Sequence, residues 1–290
     1  MNRPEPGREY VLTLSCPDRL GIVHAVSGFL LQQESNILES QQFSDPTSGT
    51  FFMRVRFGGL DGAPQPESAL RERFHAVADR YAMSWRLADA GVPQRVLIMV
   101  SKQAHCLNEL LFRNSIGDLH LDVAAVVSNH PDLRGTADHY GVPFHHIPVT
   151  PDTKPEAEAA LLRLVRDEGV ELVVLARYMQ ILSDDLCKEL DGRAINIHHS
   201  MLPSFKGARP YHQAHARGVK AIGATAHYVT ADLDEGPIIE QQVVAVDHTM
   251  GPEELTARGR GTEARALAHA VRWHTENRVL VHDGRTVVLR

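Results

Sequence analysis

The sequence has 290 residues, of which 43% are hydrophobic, and its 30 basic and 36 acidic side chains give a formal net charge of −6. This length and composition predict a globular protein of about two domains, and the mild acidity argues against a nucleic-acid binder, which needs a basic face. No apolar run reaches the roughly 18 residues of a membrane span, and residues 1–7 lack the apolar core of a signal peptide. Three widely spaced cysteines, Cys16, Cys106 and Cys187, predict reduced thiols and a cytoplasmic location.

The first part of the chain has the pattern of a small α+β domain, which we assign to residues 8–90. Its predicted order is strand, helix, two strands, helix and strand, over 10–14, 22–30, 36–43, 50–57, 67–82 and 84–88. This order is that of the ferredoxin-like fold. From 51 to 57, every second residue is apolar and the residues between them are Phe52, Arg54 and Arg56, which predicts one buried and one solvated face.

A second domain is assigned to residues 94–290, after a boundary at 90–93. Near-continuous apolar strands at 95–100, 121–127 and 171–176 alternate with helices at 106–113, 133–140 and 154–167. Further strands follow at 194–198 and 221–229, then a helix at 253–277 and a hairpin with its turn at 283–284. Apolar runs of this kind are typical of parallel strands covered on both faces. The pattern predicts a doubly wound, mostly parallel, Rossmann-like sheet with its site outside the carboxyl ends of the strands.

Polar residues follow two of these later strands. Asn196 and His198 lie two positions apart at the end of one strand, so both side chains project from the same face of the sheet. Asp232 and Asp234 follow the next strand. An amide can donate to a developing oxyanion, an imidazole can carry a proton, and a carboxylate can orient or charge that imidazole. Strand-end capping by Asn196 and His198 and a solvated turn at the two aspartates remain the alternative interpretation.

Two motifs in this region resemble a known family. Residues 196–207 match the N-I-H-x-S-x-L-P-x-x-x-G signature of the formyl transferases that use 10-formyltetrahydrofolate, and residues 232–238 match their D-x-D-x-G-x-I loop. The resemblance extends over about 94–285. It implies that Asn196, His198 and Asp234 are the catalytic residues.

The same resemblance implies a folate site without a further cofactor. Residues 175–182 are similar to the strand and loop that hold the pterin ring in the family. The folate-binding residues implied are Arg177, Tyr178, Met179, Gln180, Ile181, Leu182 and Gly207. Because the formyl group arrives already activated on the folate, no cofactor is expected.

The loop after the first strand of this domain distinguishes between family members. Transferases that act on glycinamide ribonucleotide have a glycine-rich loop there for the substrate phosphate, whereas residues 101–107, Ser-Lys-Gln-Ala-His-Cys-Leu, contain no glycine. These residues, with 210–214 and 223–230, resemble the hydrolytic members of the family. The expected reaction is hydrolysis of 10-formyltetrahydrofolate to formate and tetrahydrofolate, which supplies formate for purine synthesis and balances one-carbon folate pools. Formyl transfer to an amine and a non-catalytic folate or amino-acid sensor are the alternatives.

The N-terminal domain resembles a regulatory module. Residues 16–23 are similar to the D-R-x-G-I turn of ACT domains, which implies an effector site or subunit contact at Asp18, Arg19, Gly21 and Ile22. An amino-acid effector and a homo-oligomer, dimer or tetramer, are the expected partners. The alternative is a helix start with Asp18 near the N-cap position.

The 17 histidines raise the question of a metal site. His198-His199, His212-x-x-His215 and His227 with Asp232 or Asp234 offer nitrogen and oxygen ligands. The chain contains neither HExxH nor CxxC, and formyl transfer accounts for His198 and Asp234 without a metal. We therefore predict no metal ligands.

Overall fold

The computed structural model describes residues 8–59, 66–204 and 209–290, which form two compact units. Unit 1 comprises the described residues up to Pro93 together with Glu276–His282 and Val287–Arg290. Unit 2 comprises Gln94–Thr275 and Asp283–Thr286. The second domain was expected to cover residues 94–290. Unit 2 differs from this interval because Glu276–His282 and Val287–Arg290 belong to unit 1.

Unit 1 has the ferredoxin-like arrangement expected from the sequence. Its elements are β1 (Glu9–Pro17), α1 (Ile22–Gln32), β2 (Ser35–Asp45), β3 (Thr50–Gly59), α2 (Glu67–Tyr81) and β4 (Ser84–Asp89). The four strands pair in the antiparallel order β2-β3-β1-β4. Buried apolar residues of both helices, including Phe29 and Phe74, pack with Leu12 and Val55 of the sheet. This burial of one sheet face is the main stabilising contribution to the unit.

The second face of β3 is buried at Phe52 and Arg54 and solvated at Arg56, so the prediction of a solvated face is wrong for the first two residues. Phe52 is fully buried and Arg54 is 2% exposed. Two guanidinium nitrogens of Arg54 donate to the carbonyl of Glu276 at 3.1 and 3.0 Å, and a third pairs with Glu39 at 2.9 Å. The His282 ring packs edge-on against the Phe52 ring, with 5.4 Å between the ring centroids. Alternation within β3 could not reveal this cover because it comes from a segment more than 200 positions away in the sequence.

Replacing Arg54 with alanine should reduce the free energy of unfolding of unit 1 by about 3 kcal/mol, the scale for disrupting a buried ion pair. Arg56→Ala is the matched control on the same strand. Its side chain is 45% exposed and its pair with Glu9 is superficial, so a loss below about 1 kcal/mol is expected. Urea unfolding followed by Trp85 fluorescence in a Trp273→Phe background reports on unit 1. Equal losses for the two arginine variants would contradict the proposed role of the buried pair.

Unit 2 contains the predicted doubly wound, mostly parallel sheet. Its elements are β5 (Gln94–Val100), α3 (His105–Ser115), β6 (Leu121–Ser128), α4 (Arg134–His139), β7 (Phe144–His146), α5 (Lys154–Asp167), β8 (Leu172–Leu175), α6 (Asp184–Glu189), β9 (Ala194–His198), α7 (Pro210–Ala216), β10 (Ala221–Tyr228), β11 (Ile238–Ala245) and α8 (Pro252–Thr275). The strand order is β11-β10-β9-β8-β5-β6-β7. Pairing is parallel from β9 to β7 and antiparallel at β9-β10 and β10-β11. A hairpin of β12 (Val279–His282) and β13 (Arg285–Val288) follows α8.

Helices cover both faces of this sheet, so a ligand can reach it only at the ends of its strands. Helix α8 packs on β9, β10 and β11, and α5 contributes Leu161 and Val165 to a core with Leu97 and Val173. In open α/β sheets of this kind, ligands bind outside the carboxyl ends of the strands. Within the described part of the chain, none of the helices has the length and apolar character that a bilayer span requires.

Candidate active site

Two neighbouring strands position an amide and two imidazoles. Asn196 and His198 lie at the carboxyl end of β9, as the two-residue period predicted. In the antiparallel register with β10, Asn196 is paired with His227 and His198 with Thr225. Facing positions in such a ladder lie close enough for their side chains to interact. The strand pairing therefore brings Asn196 and His227 together.

The loop between β10 and β11 adds a carboxylate. Asp234 has a positive φ of 58°, a conformation that a non-glycine residue adopts at an energetic cost and that is often found at functional sites. Two residues further on, Gly236 passes so close to β10 that a Cβ there would lie 1.8 Å from the Tyr228 carbonyl oxygen. This close approach requires glycine, and it holds the loop against the strand that carries His227.

The four polar groups form one cluster of hydrogen-bonded and charged pairs. His198 Nδ1 is 3.2 Å from Asp234 Oδ2, and His227 Nε2 is 3.7 Å from Asp234 Oδ1. His227 Nδ1–H donates to the Tyr228 carbonyl at 2.8 Å, so Nε2 of the neutral ring accepts from the Asn196 amide at 3.2 Å. His198 Nε2 is buried and has no hydrogen-bond partner among the described residues. That nitrogen is available to a substrate or a water molecule.

Burial and charge determine the protonation states in this cluster. Burial raises the pKa of Asp234, but the hydrogen bond and charge of His198 outweigh it and hold the pKa below the usual aspartate range. Burial lowers the pKa of His227, which keeps this ring neutral. For His199, burial and the Arg177 charge lower the pKa to about 4. The site thus presents an ionised carboxylate between imidazoles at neutral pH.

The depressed pKa of Asp234 predicts a pH-dependent contribution to stability. Such a carboxylate stabilises the fold above its unfolded pKa, about 3.9, and the contribution is lost as the pH falls through the lower folded value. We expect the difference in the free energy of unfolding between wild type and Asp234→Asn to shrink below about pH 4. Urea unfolding at a series of pH values measures it. A difference that grows on acidification would mean that burial dominates this pKa.

The predicted folate-binding segment lines the same cavity as the cluster. The cavity has a volume of about 400 Å³ and is lined by Asn196, His198 and Asp234 together with Arg177, Tyr178, Met179, Gln180, Ile181 and Leu182. The Met179 amide donates to Ser101 Oγ at 2.9 Å, which fixes the segment to the end of β5. Met179 and Ile181 are more than half exposed and offer apolar surface to a flat ring. Gly207 lies outside the described residues.

Some residues of the site were not among the predicted ones. His227 was considered only as a metal ligand, although its place opposite Asn196 follows once β9 and β10 are paired. Glu263 of α8 is 1% exposed and approaches Arg177, 3.3 Å from carboxylate to guanidinium. A charged residue on the apolar face of a helix was the available signal for Glu263.

The candidate metal ligands are mostly separate. His212 and His215 are exposed on α7 and do not line the cavity. Ligand atoms of His105, Cys106 and Glu263 lie within 4.8 Å of one another. However, Glu263 already bonds to His105 Nε2 at 2.7 Å and has the Arg177 guanidinium beside it. A second cation close to this guanidinium is electrostatically unfavourable, so we assign no metal to the set.

In unit 1, the residues implied to bind an effector lie at the start of α1. The N-cap is Gly21, with a φ of 91°, and not Asp18, which accepts a hydrogen bond from Ser44. The Arg19 guanidinium lies over the Tyr81 ring at 4.6 Å, and Ile22 is buried in the core.

Known proteins are similar to this chain over different parts of its length. A family model described as formyl transferase matches residues 94–271. A formyltetrahydrofolate deformylase of Corynebacterium sp. (strain P-1) is 59% identical over 97% of this chain and 98% of its own length. The enzyme of that name from Bacillus subtilis (strain 168) is 47% identical over 96% of this chain and 92% of its own length. The crystal structure of the formyltetrahydrofolate deformylase of Burkholderia mallei ATCC 23344 has a TM-score of 0.92 and 51% identity, and covers 98% of this chain and 100% of that one.

The match over residues 94–271 shows that unit 2 contains a formyl transferase-type domain. Because the matched relatives extend over both units at high identity, the chain belongs to the formyltetrahydrofolate deformylase family. The family and the hydrolase class expected from the sequence are confirmed.

Proposed function

We propose that this chain hydrolyses 10-formyltetrahydrofolate to formate and tetrahydrofolate, with Asn196, His198 and Asp234 as the catalytic residues. The observation that supports this most directly is the Asp234 carboxylate, held 3.2 Å from His198 Nδ1 in a cavity that the proposed folate-binding segment also lines. The formate that is released supplies purine synthesis, and the reaction balances the one-carbon folate pools.

The geometry supports acyl transfer to water. Asp234 orients His198 through Nδ1 and helps to position and deprotonate the attacking water. The Asn196 amide, with one hydrogen held by His227, directs its other hydrogen at the tetrahedral oxyanion. His198 Nε2, which has no partner among the described residues, stabilises the same intermediate and passes a proton to the leaving N10. Water adds to the formyl carbon and the C–N10 bond breaks.

Turnover without an amine tests the reaction. The purified chain is incubated with 10-formyltetrahydrofolate alone, and formate and tetrahydrofolate are measured. Equal amounts of the two products are expected, with no increase when glycinamide ribonucleotide is added. Strict dependence on the amine would instead indicate a transferase, and binding of the folate without turnover would indicate a sensor.

The reaction as proposed needs no cofactor, because the activated formyl group and water are its only reactants. The substrate-binding segment 177–182 is the proposed folate site. Activity in the presence of EDTA should equal activity in its absence. Loss of activity on chelation, restored by a divalent metal, would contradict this part of the proposal.

Unit 1 is proposed as a regulatory and assembly module that takes an amino-acid effector near Asp18, Arg19, Gly21 and Ile22. Its edge strand β2 is partly or fully exposed along its length, which supports pairing with a second copy in a dimer or tetramer. Light scattering on the purified chain measures the oligomer, and calorimetric titration with amino acids tests the effector. The three cysteines are buried and unpaired, which supports a cytoplasmic location.

A further inference from the structure

Arg177 belongs to the proposed folate-binding segment and lies next to the proposed catalytic residues, but the hydrolysis as described gives its charge no partner. In the parallel pairing of β8 and β9, Leu175 is the partner of Asn196. Two residues further along each chain are Arg177 and His198. Arg177 lines the same cavity as His198 and has a positive φ of 66°. Its charge is therefore held beside the reacting centre at the cost of an unfavourable backbone conformation.

A buried carboxylate holds this arginine. Glu263 of α8 is 1% exposed, and its carboxylate lies 3.3 Å from Arg177 Nε. The same carboxylate bonds to His105 Nε2 at 2.7 Å and accepts from the Tyr211 hydroxyl at 2.5 Å. Gly259, one helical turn before Glu263, leaves the space for the Tyr211 ring, because a Cβ there would lie 2.1 Å from its hydroxyl oxygen. The helices α3, α7 and α8 thus fix Glu263, and Glu263 holds Arg177 by an ion pair and not by a hydrogen bond.

The outer part of the guanidinium is left for a ligand. Arg177 Nε is buried and has no hydrogen-bond partner among the described residues, and the side chain is 13% exposed where it lines the cavity. A guanidinium is the side chain best suited to pair with a carboxylate, because its two parallel N–H groups match the two oxygens. A carboxylate is also what the proposed reaction produces at this place.

We propose that Arg177, positioned by Glu263, is the binding site for the carboxylate of the product formate. The inference rests on the proposed function. When water has added and the C–N10 bond has broken, one water proton resides on N10 and the other leaves as formic acid ionises. The negative charge then lies on the two formate oxygens, beside His198. Arg177 pairs with this anion and stabilises it, whereas the Asp234 carboxylate repels it.

The first test is product inhibition by sodium formate. In Arg177→Gln the inhibition constant for formate should rise about 10-fold to 100-fold, the scale for loss of charge-assisted hydrogen bonds. Arg177→Lys, which keeps the charge, should restore much of the inhibition. Glu263→Gln should raise the inhibition constant in the same direction as Arg177→Gln, and should change the KM for the folate by no more than Arg177→Gln does. Arg258→Gln is the matched control, since this α8 arginine is exposed and pairs with Glu254.

A second measurement does not depend on turnover. Binding of ¹³C-formate to the wild-type chain, followed by NMR, should be saturable and should be weakened by Arg177→Gln. Absence of binding to wild type, or equal formate inhibition of wild type and Arg177→Gln, overturns the proposal. If the chain releases no formate from its folate yet binds ¹³C-formate through Arg177, the proposed function fails and the site stands.

The folate substrate carries a second source of carboxylate, its glutamate. Comparing 10-formyltetrahydrofolate with an analogue that lacks the glutamate separates the two. The formate site predicts that Arg177→Gln changes the KM for both compounds by the same factor. A rise in KM confined to the glutamate-bearing substrate, with formate inhibition unchanged, would assign Arg177 to the tail and overturn the inference.

Discussion

Replacing Asp234 with asparagine should reduce kcat by about 10² to 10⁴, the range for removal of a positioned acid–base group. Asparagine has nearly the same shape but cannot carry the charge that Asp234 places 3.2 Å from His198. The fold and the KM for 10-formyltetrahydrofolate should change little. Steady-state kinetics of formate release at neutral pH measure both parameters.

Asp232→Asn is the control for this experiment. Asp232 lies two residues away on the same loop, and its side chain is exposed. Its variant should keep a kcat within a factor of about two of wild type, as expected for a surface position. Loss of turnover in Asp232→Asn together with a normal rate in Asp234→Asn would show that the alignment of the loop motif is wrong by two positions. Asp232 would then be the catalytic carboxylate.

Replacing Asn196 with alanine should reduce kcat by about 10² to 10³, the effect of losing one oxyanion donor. The amide is held by His227 at 3.2 Å, so its free N–H has a fixed direction toward the cavity. Because the oxyanion forms only in the transition state, the loss should fall on kcat and leave KM near its wild-type value.

Asn114→Ala provides the comparison for Asn196. The Asn114 side chain binds the backbone of Leu121 and lines no part of the cavity. This variant should lose stability but keep kcat at a temperature where it is folded. Similar kcat losses in the two variants would mean that Asn196 supports the fold instead of the oxyanion.

The sequence predicted most elements of the fold because their patterns are local. The apolar strands β5, β6 and β8 and the period of α5 were evident without tertiary information. The three-residue β7 is too short to show a period, and β11 has three consecutive polar residues at its centre, over 240–242. Such elements are defined by their neighbours in the sheet and not by their own composition.

The candidate site was predictable where one strand or one motif carries the residues. Asn196 and His198 follow from the two-residue period of β9, and Asp234 follows from its motif. The surroundings of Arg177 were not predictable, because His105, Tyr211 and Glu263 come from three helices that only the folded chain brings together. The one sequence signal was Glu263 itself, at helical spacing from the buried residues Leu255, Gly259 and Ala270.

The C-terminal residues that cover Phe52 and Arg54 have a consequence for synthesis on the ribosome. The strands and helices of unit 1 emerge first, but the carbonyl of Glu276 and the ring of His282 emerge only after all of Gln94–Thr275 has been translated. Domains generally fold as they are made, from the N-terminus onward. Phe52 and Arg54 of unit 1 therefore lack these C-terminal partners until the whole sheet of unit 2 has been synthesised. Their burial is one of the last steps in folding of the nascent chain.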